Sequence, residues 1–327
     1  MMKLGFLRVY YICACSSRHA SNSLMTINEC AEQLPESEDH REVPLTYLVT
    51  EAIKNLLRPS SITQTPSSAV YEKRKPSSLR RYAIMGFILL LIGMIFSFGE
   101  LWIQFYGLSI AGFAAPVLYL SWVVRNDRYE EEPWSLILYT FGWGAFCAIF
   151  AAILNEAIFI PLFGDPGAAF IEEPLKIIGV YWLAMHRVYE SELNDHLDGM
   201  IYGAAVGAGF AGLENFYYIY MLIINQGVST WFAIALRSAA SLNHIIWSAI
   251  AGRSLGLAEV LRGYSKHSDV LAGLVVAIPL HFLWNYVDPL IALFILLPFN
   301  LISLSRMIRA AQKDEDNWGY TTLAPNE

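Results

Sequence analysis

The sequence predicts an all-α fold: a polytopic membrane helix bundle of about eight transmembrane helices with both termini in the cytoplasm. Three observations predict it. Of the 327 residues, 55% are hydrophobic and only 16% charged, and the mean hydropathy is +0.41, so the chain carries more apolar surface than a water-soluble domain of its size could bury. From residue 82 onward apolar stretches recur, of the roughly 17 to 25 residues needed to cross a hydrocarbon core about 30 Å thick. Lys and Arg fall only in alternate connections, as they do when one side of a membrane retains positive charge.

Residues 1–81 read as a polar cytoplasmic tail, partly disordered because runs such as RPSSITQTPSS cannot build a core. Within it, PLTYLVTEAIKNLLR at 44–58 has apolar residues at helical spacing and predicts an amphipathic helix lying on the membrane surface. Cys13, Cys15 and Cys30 lie in this tail. Together with Cys147 they form neither a metal-type pair nor a disulfide framework, so free thiols are expected. The opening MMKLGFLRVYYICAC faintly resembles a lipoprotein cleavage box, but Arg8 interrupts its apolar run; a tail continuing from Met1, or a start at Met25, reads better.

Eight spans follow, at about 82–99, 105–124, 134–162, 168–186, 199–224, 231–252, 269–287 and 289–305. The inner connections hold Lys73, Arg74, Lys75, Arg80 and Arg81; Arg125 and Arg128; Arg187; Arg253, Arg262 and Lys266; and Arg306, Arg309 and Lys313, while the outer loops hold none. A membrane-embedded domain over 82–310 and a cytoplasmic tail over 311–327 complete the organisation, which suits an integral protein of the plasma membrane. The hairpin at Asp288 and Pro289 is short enough to be re-entrant. A net charge of −7 without a clustered basic face excludes a nucleic-acid partner. The expected surroundings are the lipid bilayer, and no cofactor motif is present.

The stretch GAAVGAGFAGLEN at 203–215 has the letters of a dinucleotide fingerprint, but it lies inside span five with no strand before it. Its glycines are instead expected to let a neighbouring helix approach closely. Asp198, at the inner mouth of that span, is the expected N-cap.

Ionisable side chains at membrane depth cost about 2.5 to 3.5 kcal/mol each on insertion scales and are functional candidates by default. Spans four to seven hold Glu172, Glu173 and Lys176; Glu214 and Asn215; Arg237, Asn243 and His244; and His281 and Asn285, whereas span three adds only Asn155 and Glu156 near its outer end. At about 1.5 Å per residue these groups share the outer half of the bilayer. Lys176 follows Glu172 by four residues and Glu173 by three, so it shares a helix face with both. His281 and Asn285, four apart, aim an imidazole and an amide at one space. Such a set suits hydrolysis: a carboxylate deprotonates water while His and Asn donors hold the oxygen that becomes negative. Blander roles compete. Glu173 with Lys176 can be a packing ion pair, Asn215 can bond a neighbouring backbone, and His244 can be a satisfied packing histidine. Arg237 has no partner legible in the sequence.

Four ordered motifs, EEPLK at 172–176, DGMIYGAAVGAGFAGLEN at 198–215, HIIW at 244–247 and HFLWN at 281–285, resemble those of the PrsW family of intramembrane proteases, which is grouped with the CAAX prenyl endopeptidases in the CPBP superfamily. The resemblance covers about residues 80–310. It implies a glutamate-dependent, metal-independent peptide-bond hydrolase acting on a membrane-anchored protein, in bacteria an anti-sigma factor. Carried over residue by residue, Glu172 is the general base on water. Glu214, in Phe210-xxx-Glu214 where the CAAX enzymes have Phe-xxx-His, helps position that water. His281 and Asn285 form the oxyanion site, and His244 is a further family polar residue. Lys176 follows the double Glu at a shorter interval than the Arg of the CAAX enzymes, and Ser248 stands where Thr is expected. Two other classes remain open: a metal-dependent membrane hydrolase using the Glu and His residues as ligands, though no HExxH is present, and a proton-coupled transporter or scaffold, though no repeated half is evident.

Overall fold

The computed structural model describes residues 43–60, 62, 79–129, 132–186, 189 and 192–318. Among them every regular element is a helix. The longer ones are α1 (Leu45–Asn55), α2 (Leu79–Phe96), α3 (Leu101–Val124), α4 (Trp134–Leu154), α5 (Ala169–Met185), α6 (His196–Gln226), α7 (Thr230–Arg262), α8 (Val270–Tyr286) and α9 (Leu297–Asn317), joined in places by short helical turns. Cys13, Cys15, Cys30, the lipoprotein-like box, Met25 and most of the disordered part of the tail lie outside the described residues.

Among the described residues four segments are long and apolar enough to cross a membrane: Ile103–Val124, Trp134–Phe163, His267–Tyr286 and Pro289–Asn317. Their outward side chains, such as Phe146, Ile153 and Phe294, are exposed, as suits helices that face lipid. The helices α6 and α7 have a different character. α6 is buried without a break from His196 to Gly212, and α7 from Asn243 to Ala258. A helix surrounded by other helices is free of the demand for bulky apolar residues that lipid imposes, and can carry small and polar ones.

Close approach is what the glycines of α6 supply. A methyl group on Gly203 would stand 2.2 Å from the Ser248 carbonyl oxygen and one on Gly207 2.5 Å from that of His244, both on α7, while one on Gly209 would stand 1.8 Å from the Phe141 oxygen on α4. α6 is therefore clamped on two sides by backbone, which fixes the register of the polar residues that follow Gly212.

The N-cap of α6 is Asp195, one turn before the expected position. Its carboxylate accepts from the backbone N–H groups of Leu197 and Asp198, and Asp198 reciprocates by accepting from the N–H of Asp195 at 2.9 Å. Asp198 thus serves as the third-position partner of a capping box, because the helix begins at His196. α1 docks on the bundle. Leu48 is fully buried against Leu257, Leu261 and Ala272, and Arg262 Nη1 donates to the Val43 carbonyl at 3.0 Å.

Candidate active site

The polar residues of α5 to α8 converge. A short 3-10 turn, Asp165–Ala168, leads into α5, so Glu172, Glu173 and Lys176 occupy its first two turns, each at most 6% exposed. Lys176 Nζ donates to Glu173 Oε1 at 2.8 Å and to His244 Nδ1 at 2.8 Å, and the ammonium lies 4.1 Å from the centre of the Phe210 ring. Lysine has only donors to offer, so His244 accepts at Nδ1 and carries its proton on Nε2. That nitrogen faces Glu214 Oε2 at 2.7 Å.

From Glu214 the network continues outward. Arg237 Nη2 lies 2.9 Å from Glu214 Oε2, and its Nε donates to Asn215 Oδ1 at 3.2 Å. The Asn215 amide in turn donates to the Gly112 carbonyl at 3.1 Å, so Asn215 ties α6 to α3 and orients Arg237 from behind. The guanidinium also stacks over Tyr218.

On the other side, His281 on α8 donates from Nδ1 to Glu173 Oε1 at 2.7 Å. Trp247 lies against its ring, centroid to centroid 4.4 Å with the planes 19° apart, which holds the imidazole edge toward Glu172. His281 Nε2 is 3.8 Å from Glu172 Oε2. That oxygen is buried and accepts no hydrogen bond among the described residues, whereas Glu172 Oε1 accepts from Asn155 Nδ2 at 2.9 Å.

Glu172, Glu173, Lys176, Glu214, Asn215, His244 and His281 are thus brought together. Asn285 stands apart at the rim, its amide donating to the Asp165 carbonyl at 3.3 Å. One helical turn beyond His281, it meets the loop that precedes α5. Two members of the constellation were not assigned from sequence. Arg237 sits seven residues before His244, two turns down one helix face, and that spacing was the available signal. Asn155 ends the buried stripe Thr140, Gly144, Cys147, Ala151 of α4, a polar residue continuing an interior row.

Glu172, His244 and His281 also offer ligand atoms all within 4.8 Å of one another, the number and kind of donors found in catalytic zinc sites. As built, the cluster does not fit a divalent ion. Both nitrogens of His244 are engaged, and the Lys176 ammonium stands 3.6 Å from Glu172 Oε2, a fixed positive charge among the donors that an incoming cation would face.

The chain is similar to known proteins over the helices that carry this cluster. The family model described as "PrsW family intramembrane metalloprotease" matches residues 132–307. The chain is 29% identical over 215 residues to the protein named Protease PrsW of Bacillus subtilis (strain 168), covering 62% of this chain and 93% of that one. It is 30% identical over 216 residues to the Protease PrsW of Oceanobacillus iheyensis, covering 61% and 94%, and 33% identical over 159 residues to that of Geobacillus kaustophilus, covering 47% and 68%. No solved structure matches it significantly.

Proposed function

We propose, from the premise that this chain belongs to the PrsW family of intramembrane proteases, that it is an endopeptidase whose general base is Glu172. Its substrate is a membrane-tethered protein, of the anti-sigma-factor kind, cut near the extracytoplasmic face. The segregation of basic residues supports about eight spans with both termini in the cytoplasm, in the plasma membrane.

The observation that carries the mechanism is the free, buried Oε2 of Glu172 facing His281 Nε2 across 3.8 Å. A water molecule between them reaches both at hydrogen-bond distance. Glu172 takes a proton from that water as its oxygen attacks the scissile carbonyl carbon. The oxyanion that forms is stabilised by His281, which donates from Nε2 when doubly protonated while Glu173 holds its Nδ1–H. Asn285 joins it by exchanging the Asp165 carbonyl for the substrate oxygen. Glu172 then returns the proton to the leaving nitrogen, the C–N bond breaks, and a carboxylic acid and an amine are released. Glu214, held by Arg237, keeps His244 oriented and through it Lys176, so the two fixed cations keep the acids apart.

A metal-dependent reading is favoured by the three donors within 4.8 Å and opposed by the lysine among them, so no step is routed through a metal. One experiment separates the readings: cleavage of a membrane-tethered reporter by purified protein, before and after prolonged dialysis against chelator. Activity is expected to survive chelation and to be lost in Glu172→Gln and Glu214→Gln. Glu172→Gln cleaving as well as the parent overturns the general-base reading; activity lost to chelator and restored by zinc overturns it in favour of the metal.

A further inference from the structure

We infer that Asn155 is a positioning residue for the base, holding the Glu172 carboxylate off Lys176 so that one oxygen stays free for water. The inference rests on Glu172 being the base. Of the two Glu172 oxygens, Oε1 accepts from Asn155 at 2.9 Å, and Oε2 lies 3.6 Å from Lys176 Nζ, beyond a hydrogen bond of ordinary length. A buried carboxylate beside an ammonium would normally close on it. Here the amide competes: it pins Oε1 toward α4, while Lys176 commits two of its three N–H donors to Glu173 and His244. Without the amide, Glu172 is free to close its 3.6 Å ion pair with Lys176 to hydrogen-bond contact, and the oxygen that the reaction needs without a hydrogen bond is consumed.

The backbone around Asn155 is also unusual. The regular turns of α4 give way at this residue to a π-helical turn, Asn155–Phe159, a rare conformation frequent at functional sites; a second, Ala292–Leu296, lies away from the cluster. Its Oδ1 is buried without a hydrogen-bond partner among the described residues. A residue present only to fill the α4–α5 seam would be better apolar than half-satisfied. The separation between Asn155 and Glu172 is set by rigid packing: Trp143 Nε1 on α4 donates to the Leu175 carbonyl on α5 at 2.9 Å, and Phe141 lies against Gly209 of α6.

The test compares Asn155→Leu, which keeps the volume and removes the donor, with Asn155→His, whose Nδ1–H can donate from nearly the same point. In Asn155→Leu, kcat for reporter cleavage is expected to fall about 10- to 100-fold, as when a supporting hydrogen bond to a catalytic group is lost, with KM within about twofold and the unfolding temperature not lowered. Asn155→His should recover a large part of kcat. An unchanged kcat in Asn155→Leu, or equal losses in Asn155→Leu and Asn155→His, overturns the inference. Glu172→Gln run alongside tells the two failures apart, since an active Glu172→Gln sinks the general-base reading itself.

Discussion

Lys176 donates to His244 Nδ1 across 2.8 Å and to Glu173 Oε1 across 2.8 Å, with Glu172 Oε2 at 3.6 Å, so one ammonium joins the acid pair of α5 to the imidazole of α7. Because Glu173 passes the connection on to His281 and His244 passes it to Glu214, Lys176 is the node on which four helices agree.

Removing that node should cost stability and activity together. Lys176→Met leaves Glu173 buried at 1% exposure without its cation, and breaking a buried pair from one side typically costs about 3 to 5 kcal/mol. Lys176→Met with Glu173→Gln removes both charges and should be less destabilised than Lys176→Met alone, by a coupling of about 1 to 3 kcal/mol. Denaturation in detergent measures both; a double variant less stable than the single one contradicts the pairing. Neither variant is expected to cleave the reporter.

Arg237 is the second fixed cation and the easier one to test, since it lies nearer the surface, with 14% of its side chain exposed. Arg237→Gln removes the cation from Glu214 and the donor from Asn215, so kcat should fall about 10-fold or more with expression and melting near those of the parent. Arg237→Lys restores charge but not the fork that reaches both partners, and should fall between the two. Steady-state kinetics on the three proteins decides it; equal kcat in Arg237→Gln and the parent removes Arg237 from the site.

The convergence of the polar side chains was more legible in the sequence than the partners each of them takes. Glu172, Glu214, His244 and His281 were legible because ionisable residues at one depth in separate apolar stretches have few reasons to coincide. Their partners were harder to see. The hydrogen bond from Asn155 to Glu172 joins residues on different helices, and no spacing rule links Asn155 to a residue across a π-turn. Asn285 read as a partner of His281 because four residues make one turn, but the same turn lifts it to the level of the Asp165 carbonyl. Hydropathy marks α3, α4, α8 and the last span most directly; α5, α6 and α7 also read as apolar stretches, with small and polar side chains where other helices cover them. The helix α1 had a clear apolar edge; that Leu48 would meet Leu257 and Leu261 depends on tertiary docking, which the pattern of one helix does not encode.

The glycines of α6 make the last prediction, because one of them touches the backbone of a site residue. A methyl group on Gly207 would stand 2.5 Å from the His244 carbonyl oxygen and 2.7 Å from Ile245 Cα, atoms that cannot rotate aside. Gly207→Ala must therefore push α7 outward, at the roughly 1 to 3 kcal/mol typical of overpacking, and it moves the very turn that aims His244 at Lys176 and Glu214. A displacement of about 1 Å at a catalytic centre can cost about 100-fold in rate, so activity should fall further than the loss of stability accounts for. Gly142 on α4 provides the contrast, since a methyl group there meets nothing within 4 Å. Gly142→Ala should leave kcat unchanged and raise stability by about 0.5 to 1 kcal/mol, the usual gain for replacing an exposed helical glycine. If Gly207→Ala cleaves the reporter at the rate of Gly142→Ala, the contact between α6 and α7 does not set the position of His244, and the imidazole is held by its hydrogen bonds alone.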